Sequence, residues 1–187
     1  EIKRFEDLSD TNWSGKICSR PGSHVYNRAL LSSIIAANGS KAAAAWAKSL
    51  VQNFARSPRG NDRSQIKAVF SGECDVALVN HYYYGKLLNS KDPAHRQWAE
   101  SVDIIIPNQG PTDRGAHINI SGGGIAKHAK NLEEARQFME FLVSEQAQEL
   151  YASINYEYPV ITGVVLPKTL TAWGNFKEDT VPIESIA

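Results

Sequence analysis

Two adjacent tyrosines, Tyr82 and Tyr83, follow an apolar segment and begin a predicted helix. A free phenol loses its proton at a pH of about 10, but a bound trivalent cation removes that proton, as metal ions do from coordinated thiols and water. Phenolate oxygen is a hard, anionic donor that suits ferric iron. The positive end of a helix dipole would also favour the anionic forms in the first helical turn. The pair therefore predicts a site for a hard metal ion.

The tyrosine run has other interpretations. Consecutive helical residues diverge by about 100°, so Tyr82 and Tyr83 reach one ion only if it sits over the start of the helix. Tyrosine clusters often pack a half-buried face, and phenol hydroxyls at a cleft also suit an organic ligand. The residues alone leave a metal site, an organic-ligand pocket and simple packing open.

Composition restricts the class of protein. At 187 residues and 42% apolar residues, the chain is long enough to bury a sizeable core. Lysine plus arginine and aspartate plus glutamate both number 20, so no overall charge would draw the protein to nucleic acid or an anionic membrane. The longest apolar run is far short of a membrane span, and no signal peptide is visible at Glu1, although a trimmed chain or a fragment would show none either.

Motifs for catalysis are missing from the sequence. It has no Gly-x-Ser-x-Gly elbow, no His-Glu-x-x-His pair and no signature of a nucleophilic cysteine. The glycines at 122–124 lack the Gly-Lys-Ser/Thr ending of a phosphate-binding loop, and they predict a bend in a strand instead. We therefore expect a binding protein and not an enzyme.

The elements that must position the tyrosines alternate between strands and helices. The predicted strands cover residues 16–19, 75–79, 102–106 and 116–120. The predicted helices cover residues 24–37, a segment capped by Ser40, 64–71, 83–88, 92–101 and a stretch capped by Asn131 and Glu134 that restarts at Ser144. This order predicts an α/β layered domain with a largely parallel sheet, which binds ligands outside the carboxyl ends of its strands. The tyrosines begin at one such end.

Two cysteines, Cys18 and Cys74, match no zinc or iron–sulfur spacing. They are either two small buried hydrophobes or a disulfide between neighbouring strands in an oxidising compartment. Near the end of the chain, Trp173, Phe176 and Ile183 are predicted to hold an irregular segment against a core.

Segments along nearly the whole chain carry a resemblance to a known family. They are residues 13–18, 23–27, 53–56, 60–62, 72–80, the tyrosine pair, 119–124, 155–160 and 173–179. In order and spacing they resemble the periplasmic ferric-iron-binding proteins, particularly the cyanobacterial type. These proteins are the substrate-binding components of bacterial iron ABC transporters.

The resemblance implies the type II periplasmic-binding-protein fold, an α/β clamshell of two lobes, with mainly the second lobe present. Residues 1–112 would form the second lobe, 113–160 would cross back to the first lobe, and 161–187 would return to the second. Family members begin with a first lobe that supplies a further tyrosine, often with a histidine, and nothing before Glu1 supplies them here. The helices near 131–152 are therefore expected to expose apolar faces.

The resemblance also implies a function and a set of ligands. Tyr26, Tyr82 and Tyr83 would bind ferric iron, with water, an anion or another chain completing the coordination, and Tyr84 would be a neighbour. By their proximity to these tyrosines in the sequence, and not by the resemblance, the residues expected to tune the site are Arg20, His24, Asn80, His81 and Lys86. The implied role is delivery of Fe3+ in the periplasm to an inner-membrane ABC transporter permease. The alternative is a binding protein of the same fold for a small oxyanion or organic ligand.

Overall fold

The computed structural model of the chain describes residues 1–182. The strands are β1 (Ile17–Cys18) and β2 (Val76–Ala77). The helices are α1 (Val25–Gln52), α2 (Asp62–Phe70), α3 (His81–Leu88), α4 (Pro93–Glu100), α5 (Leu132–Leu142), α6 (Glu145–Leu150) and α7 (Lys168–Ala172). Short 3₁₀ turns span Phe5–Ser9 and Thr11–Trp13, and a π turn spans Tyr151–Asn155. Within the described part of the chain, no helix is both long and apolar enough to cross a bilayer.

Two compact units make up the structure. One contains Glu1–Asn119 and the chain from Asn175 onward, and the other contains Ile120–Gly174. These units reflect contacts inside this chain, whereas the expected boundaries near residues 112 and 160 describe lobes of a larger clamshell. The three-part lobe assignment stays a prediction.

The first unit is organised around a parallel pair of strands. Ile17 lies opposite Val76 and Cys18 opposite Ala77, as expected for neighbouring parallel strands. The disulfide between Cys18 and Cys74 covalently links the two strand segments, with the Cα atoms 6.0 Å apart. Of the two interpretations of the cysteines, the structure contains the disulfide.

The main core lies between β1 and α1. Its buried residues are Leu8, Ile17, Leu30, Ile34, Ala43, Trp46 and Leu50. The helical run of α1 is interrupted at Gly39, whose φ of 78° is readily adopted only by glycine. The two predicted helices are therefore joined across a kink at the predicted boundary. Both halves of α1, before and after the kink, contribute buried residues to this one core.

A second cluster supports the tyrosine helix. Ile66 of α2, Leu87 of α3 and Ala99 of α4 are buried together. Helix α3 begins at His81, two residues before the predicted start, so Tyr82 and Tyr83 lie in its first turn. The packing of α2 and α4 against α3 thus fixes where the tyrosines sit relative to β2.

Two predicted strands do not form. Residues 102–106 have no regular structure, and the Val102 carbonyl accepts a hydrogen bond from the Tyr84 hydroxyl at 3.0 Å. Residues 116–120 make only an isolated bridge, between Ala116 and Glu178. A strand requires a neighbour that pairs with successive backbone groups, and the sheet within residues 1–182 has two strands. The strands predicted at residues 102–106 and 116–120 are therefore wrong, whereas the expected parallel pairing is present between β1 and β2.

The second unit contains α5, α6 and α7. Asn131 stands at the N-cap of α5, but its backbone has a ψ of 66° and its side chain makes no capping hydrogen bond, so the predicted capping box is wrong. The Ser144 hydroxyl accepts from the Ala147 amide at 3.3 Å and starts α6, as predicted. Several apolar side chains along α5 are exposed, among them Leu132 and Phe138, in agreement with the expectation for residues 131–152.

Near the end of the described chain, Trp173 and Phe176 are half-buried. Ile183, which was predicted to act with them, lies outside the described residues.

Candidate metal centre

The three predicted tyrosine ligands lie together at the start of two helices. Tyr26 is in the first turn of α1, and Tyr82 and Tyr83 are in the first turn of α3. The Tyr26 and Tyr82 hydroxyl oxygens are 2.9 Å apart, and the Tyr82 and Tyr83 ring centroids are 4.3 Å apart with the planes inclined by 32°. Helix α1 follows β1 and α3 follows β2, so the phenols gather beyond the carboxyl ends of the parallel pair. This is the edge at which the sequence predicted ligand binding.

Local hydrogen bonds hold the entry to α1. His24 occupies the N-cap, and its Nδ1 atom accepts from the Tyr26 backbone amide at 3.3 Å. Its ring also meets the Tyr26 ring edge-on, with centroids 4.6 Å apart. The Asn27 side chain donates to the Ser19 hydroxyl at 3.0 Å and to the Arg20 carbonyl at 2.8 Å, which ties the helix to the loop after β1. These contacts place Tyr26 relative to the sheet.

The entry to α3 is held differently. Asn80 is at the N-cap, but its side chain does not cap the helix. Its Oδ1 atom accepts from the side-chain amide nitrogen Nδ2 of Asn119 at 2.9 Å. The Asn80 carbonyl accepts from the Tyr83 amide at 3.2 Å. His81 begins the helix, and its ring lies edge-on to that of Tyr82 with centroids 6.1 Å apart. Both predicted neighbours of the tyrosine pair are therefore close to it.

Each of the three phenol rings has a cation nearby. The Arg20 guanidinium lies 5.0 Å from the Tyr26 ring centroid and the Lys86 ammonium 5.5 Å from that of Tyr82. The Arg63 guanidinium lies 5.4 Å from the Tyr83 ring centroid. Such contacts are attractive to the neutral ring, and a nearby positive charge also favours a phenolate. Arg20 and Lys86 were expected here, whereas sequence reasoning missed Arg63.

The Tyr82 hydroxyl is difficult to ionise without a metal. Burial, followed by its hydrogen bonds with Tyr26 and Tyr83, raises the pKa of Tyr82 well above its ordinary value of 10. Tyr82 is therefore a neutral phenol at neutral pH when no metal is bound. A metal ion that binds its oxygen has to displace the proton, and that displacement links metal affinity to pH.

The third tyrosine of the run, Tyr84, has a different environment. Its hydroxyl donates to the Val102 carbonyl, and its ring packs against the cluster of Ile66, Leu87 and Ala99. Burial and then the charge of Asp103 raise the pKa of Tyr84. These contacts agree with the expectation that Tyr84 is a neighbour of the site and not a ligand, which stays a prediction.

Asp62 is the most deeply buried charged residue near the phenols, and sequence reasoning missed it. It is 1% exposed and pairs with Arg20, while its Oδ1 atom accepts from the Asn80 backbone amide at 2.8 Å. A signal was available, because Asp62 precedes Gln65 and Ile66 by three and four residues and so shares their face of α2. An aspartate on the buried face of a helix requires a partner, and Arg20 is that partner.

The donor set at this edge consists of phenols with cations close by. No three or more His, Cys, Asp or Glu side chains among residues 1–182 are grouped so that they could share a metal ion. Three phenol oxygens would supply hard anionic ligands on losing their protons, which is the chemistry that Fe3+ prefers. The geometry therefore fits the predicted ligands Tyr26, Tyr82 and Tyr83.

Comparisons with known proteins find a family match and relatives named for iron uptake. The profile of a family described as bacterial extracellular solute-binding protein matches residues 3–177. Iron uptake protein A1 of Synechocystis is 48% identical over 186 residues, which cover 100% of this chain and 51% of that protein. This chain spans about half the length of the curated relatives it matches.

Solved structures resemble the whole chain closely. The ferric binding protein from Campylobacter jejuni matches with a TM-score of 0.94 and 43% identity, covering 98% of this chain and 58% of its own. A Trichodesmium protein, described as being in complex with iron and citrate ligands, matches with a TM-score of 0.93 and 43% identity, covering 99% of this chain and 58% of its own. Similarity therefore extends across both compact units of the chain.

Proposed function

Because the chain belongs to the bacterial extracellular solute-binding protein family, we propose that it binds ferric iron through the phenolate oxygens of Tyr26, Tyr82 and Tyr83. The observation that carries this proposal is the convergence of the three phenols, with the Tyr26 and Tyr82 oxygens 2.9 Å apart. The protein would hold Fe3+ in the periplasm and deliver it to the permease of an inner-membrane ABC transporter for iron uptake.

Membership of this family confirms two of the expectations from the sequence. Solute-binding proteins are not enzymes, in agreement with the absence of catalytic motifs. The close structural matches include proteins named ferric binding proteins, and the expected type II periplasmic-binding-protein fold is confirmed for the part of that fold that this chain spans.

Charge balance supports the phenols as ligands for a trivalent ion. Each coordinated phenol would release one proton, and three phenolates would neutralise the charge of Fe3+. The three tyrosines belong to the first turns of α1 and α3, where the positive end of the helix dipole would favour the anionic forms. Arg20, Arg63 and Lys86 would act in the same direction, because they lie within 5.0–5.5 Å of the ring centroids.

The neighbouring polar residues would tune this site without binding the ion. His24 and Asn80 hold the two helix starts, and His81 lies against the Tyr82 ring. Water, an anion or residues of a longer chain would fill the coordination positions that three phenolates leave. We propose on these contacts that His24, Asn80 and His81 orient the ligands.

The periplasmic location has independent physical support. The Cys18–Cys74 disulfide persists in oxidising compartments such as the bacterial periplasm and is uncommon in the cytosol. Among the relatives, a Serratia marcescens protein that is 30% identical over 86% of this chain is called a periplasmic Fe(3+)-binding protein.

The test is a titration of the protein with ferric citrate, followed by visible absorption. Phenolate bound to Fe3+ gives a purple-red charge-transfer band, which we expect for the wild type and expect to be lost in Tyr82→Phe and Tyr83→Phe. Tyr84→Phe is the matched control, since it removes the neighbouring hydroxyl without removing a proposed ligand. Absence of a band in the wild type, or an equal loss of the band in Tyr84→Phe, would contradict the proposal.

The three cations near the rings favour one alternative, a small oxyanion or organic anion as the ligand. Arg63 and Lys86 could attract an anion even without a metal. Calorimetry with citrate, phosphate and carbonate in the absence of iron separates the two functions. Binding of an anion alone, with no further heat or colour when Fe3+ is added, would favour the alternative.

A further inference from the structure

Asp62 divides its two carboxylate oxygens between two different elements. One oxygen, Oδ2, pairs with the Arg20 guanidinium, which belongs to the loop between β1 and α1. The other, Oδ1, accepts a hydrogen bond from the Asn80 backbone amide, immediately before α3. Asp62 itself stands at the start of α2, where it is almost completely buried. A buried carboxylate with two charge-assisted contacts holds its partners in narrowly defined positions.

Both partners of Asp62 lead directly to a proposed ligand. The Arg20 guanidinium lies over the Tyr26 ring. Asn80 begins the turn that carries Tyr82 and Tyr83, and its carbonyl accepts from the Tyr83 amide. The two phenols whose oxygens are 2.9 Å apart therefore belong to elements that Asp62 connects on their buried side.

We propose that Asp62 is a positioning residue that sets the separation of the Tyr26 and Tyr82 oxygens and so the geometry offered to Fe3+. It would act through Arg20 and the Asn80 amide, without binding the metal. The inference rests on the proposed function, because the consequence for iron depends on these phenols being ligands. Its structural part, the control of an oxygen–oxygen distance, is measurable in the protein without iron.

The variant Asp62→Asn tests this role with little change in volume. An asparagine can still accept from the Asn80 amide, but it has no charge to hold the Arg20 guanidinium, and its amino group repels the guanidinium donors. We expect the Tyr26 and Tyr82 oxygens to move apart. We also expect a shifted, weaker charge-transfer band and an affinity for Fe3+ at least tenfold lower than that of the wild type.

The chain offers a matched control in the Arg114–Asp179 pair, which is buried to a similar degree. Asp179→Asn removes the same charge from the same kind of contact but touches none of the proposed ligands. A decrease in thermal stability is expected in both variants, whereas a changed band is expected only in Asp62→Asn. Asp62→Glu separates position from charge, because it keeps the charge but displaces the carboxylate by one methylene. We expect the charge-transfer band of Asp62→Glu to be shifted from that of the wild type, as in Asp62→Asn.

A crystal structure of iron-free Asp62→Asn gives the distance between the Tyr26 and Tyr82 hydroxyl oxygens, which decides the question. An unchanged separation of the two oxygens, or a normal band and normal affinity in Asp62→Asn, would overturn the proposal. A band that is altered equally in Asp179→Asn would also overturn it, because the effect would then come from lost stability. If the wild type shows no band with ferric citrate, the proposed function fails, and the oxygen–oxygen distance in Asp62→Asn still decides whether Asp62 positions the phenols.

Discussion

Two arginine–aspartate pairs lie in similar surroundings but join different parts of the first unit. In the first pair, the side chains of Arg20 and Asp62 are 13% and 2% exposed; in the second, those of Arg114 and Asp179 are 15% and 4% exposed. The first pair connects the two helix starts that carry the phenols. The second pair joins Arg114 to Asp179, which lies in the segment of the first unit that begins at Asn175.

The second pair belongs to a network that holds segments of chain together. Beside it, the Ala116 amide donates to the Lys177 carbonyl and the Asp179 amide donates to the Ala116 carbonyl, both at 2.8 Å. Arg114 also lies 3.8 Å from Glu6, near the start of the chain. Two arginine–aspartate pairs of similar burial therefore have different roles, and the difference depends on the second group that each arginine contacts. For Arg20 that contact is the Tyr26 ring, and for Arg114 it is another carboxylate.

The largest effect on stability is expected from the disulfide beside the first pair. Replacing Cys18 and Cys74 by serine opens a loop with a sequence separation of 56 residues. Loop-closure entropy for this length corresponds to about 4 kcal/mol of unfolding free energy. Urea unfolding measures the loss.

The same disulfide variant tests whether a loss of protein stability alone changes the positions of the phenols. The β1–β2 hydrogen bonds and the Asp62 contacts do not involve either sulfur atom, so the folded variant should keep a normal charge-transfer band with Fe3+. A band changed as strongly as in Asp62→Asn would mean that loss of stability alone disturbs the phenols.

The next largest effects are expected from removing each aspartate side chain. Asp62→Ala and Asp179→Ala each leave a mostly buried guanidinium without its partner, which costs about 3 kcal/mol or more. The two losses in unfolding free energy should agree within about 1 kcal/mol, because the pairs are buried to similar extents. Equilibrium denaturation of both variants checks this, and a much smaller loss in one of them would show that its pair is not equivalent.

The two pairs also show what the sequence could and could not predict. Local patterns predicted helices α1 to α6, the parallel β1–β2 pair and the place of Tyr82 and Tyr83 at a strand end, because each signal lies within a few residues. The assignment of Tyr26 to the same site came from the family resemblance, since Tyr26 and Tyr82 are 56 positions apart. The link between Asp62 and Arg20 spans 42 positions, and nothing in the local pattern connects them. The helix predicted over residues 64–71 also left Asp62 in the preceding loop, whereas α2 begins at Asp62, and this shift of the helix start concealed its burial.

The failed strands have a related explanation. Residues 102–106 and 116–120 have the apolar or alternating pattern of strands, but a strand also depends on a partner elsewhere in the fold. In this structure their backbone and neighbouring groups bond elsewhere: Val102 accepts from Tyr84, and Ala116 pairs with the returning segment. Both segments have the residue types of a strand. Whether a neighbouring strand is available to pair with them could not be inferred from those residue types.

The smallest expected change in stability comes from Glu6, which lies 3.8 Å from Arg114. Its replacement tests how the network around the Arg114–Asp179 pair responds to acid. Burial alone would raise the pKa of Glu6, but hydrogen bonds from Asn38 and Asn108, with the charge of Arg114, lower it below its ordinary value of 4.5. A lowered folded-state pKa stabilises the protein above pH 4.5, and this contribution is lost as the pH falls through the folded-state pKa. We therefore expect Glu6→Gln to be less stable than the wild type at pH 7 and to lose less stability on acidification below pH 4.5.

Because Glu6 is about one-third exposed, the change in stability of Glu6→Gln should be smaller than that of either aspartate variant. Thermal unfolding from pH 3 to pH 7 measures it, at pH values chosen on both sides of the ordinary glutamate pKa. An identical pH profile for Glu6→Gln and the wild type would show that Glu6 does not contribute to the acid response of the second network.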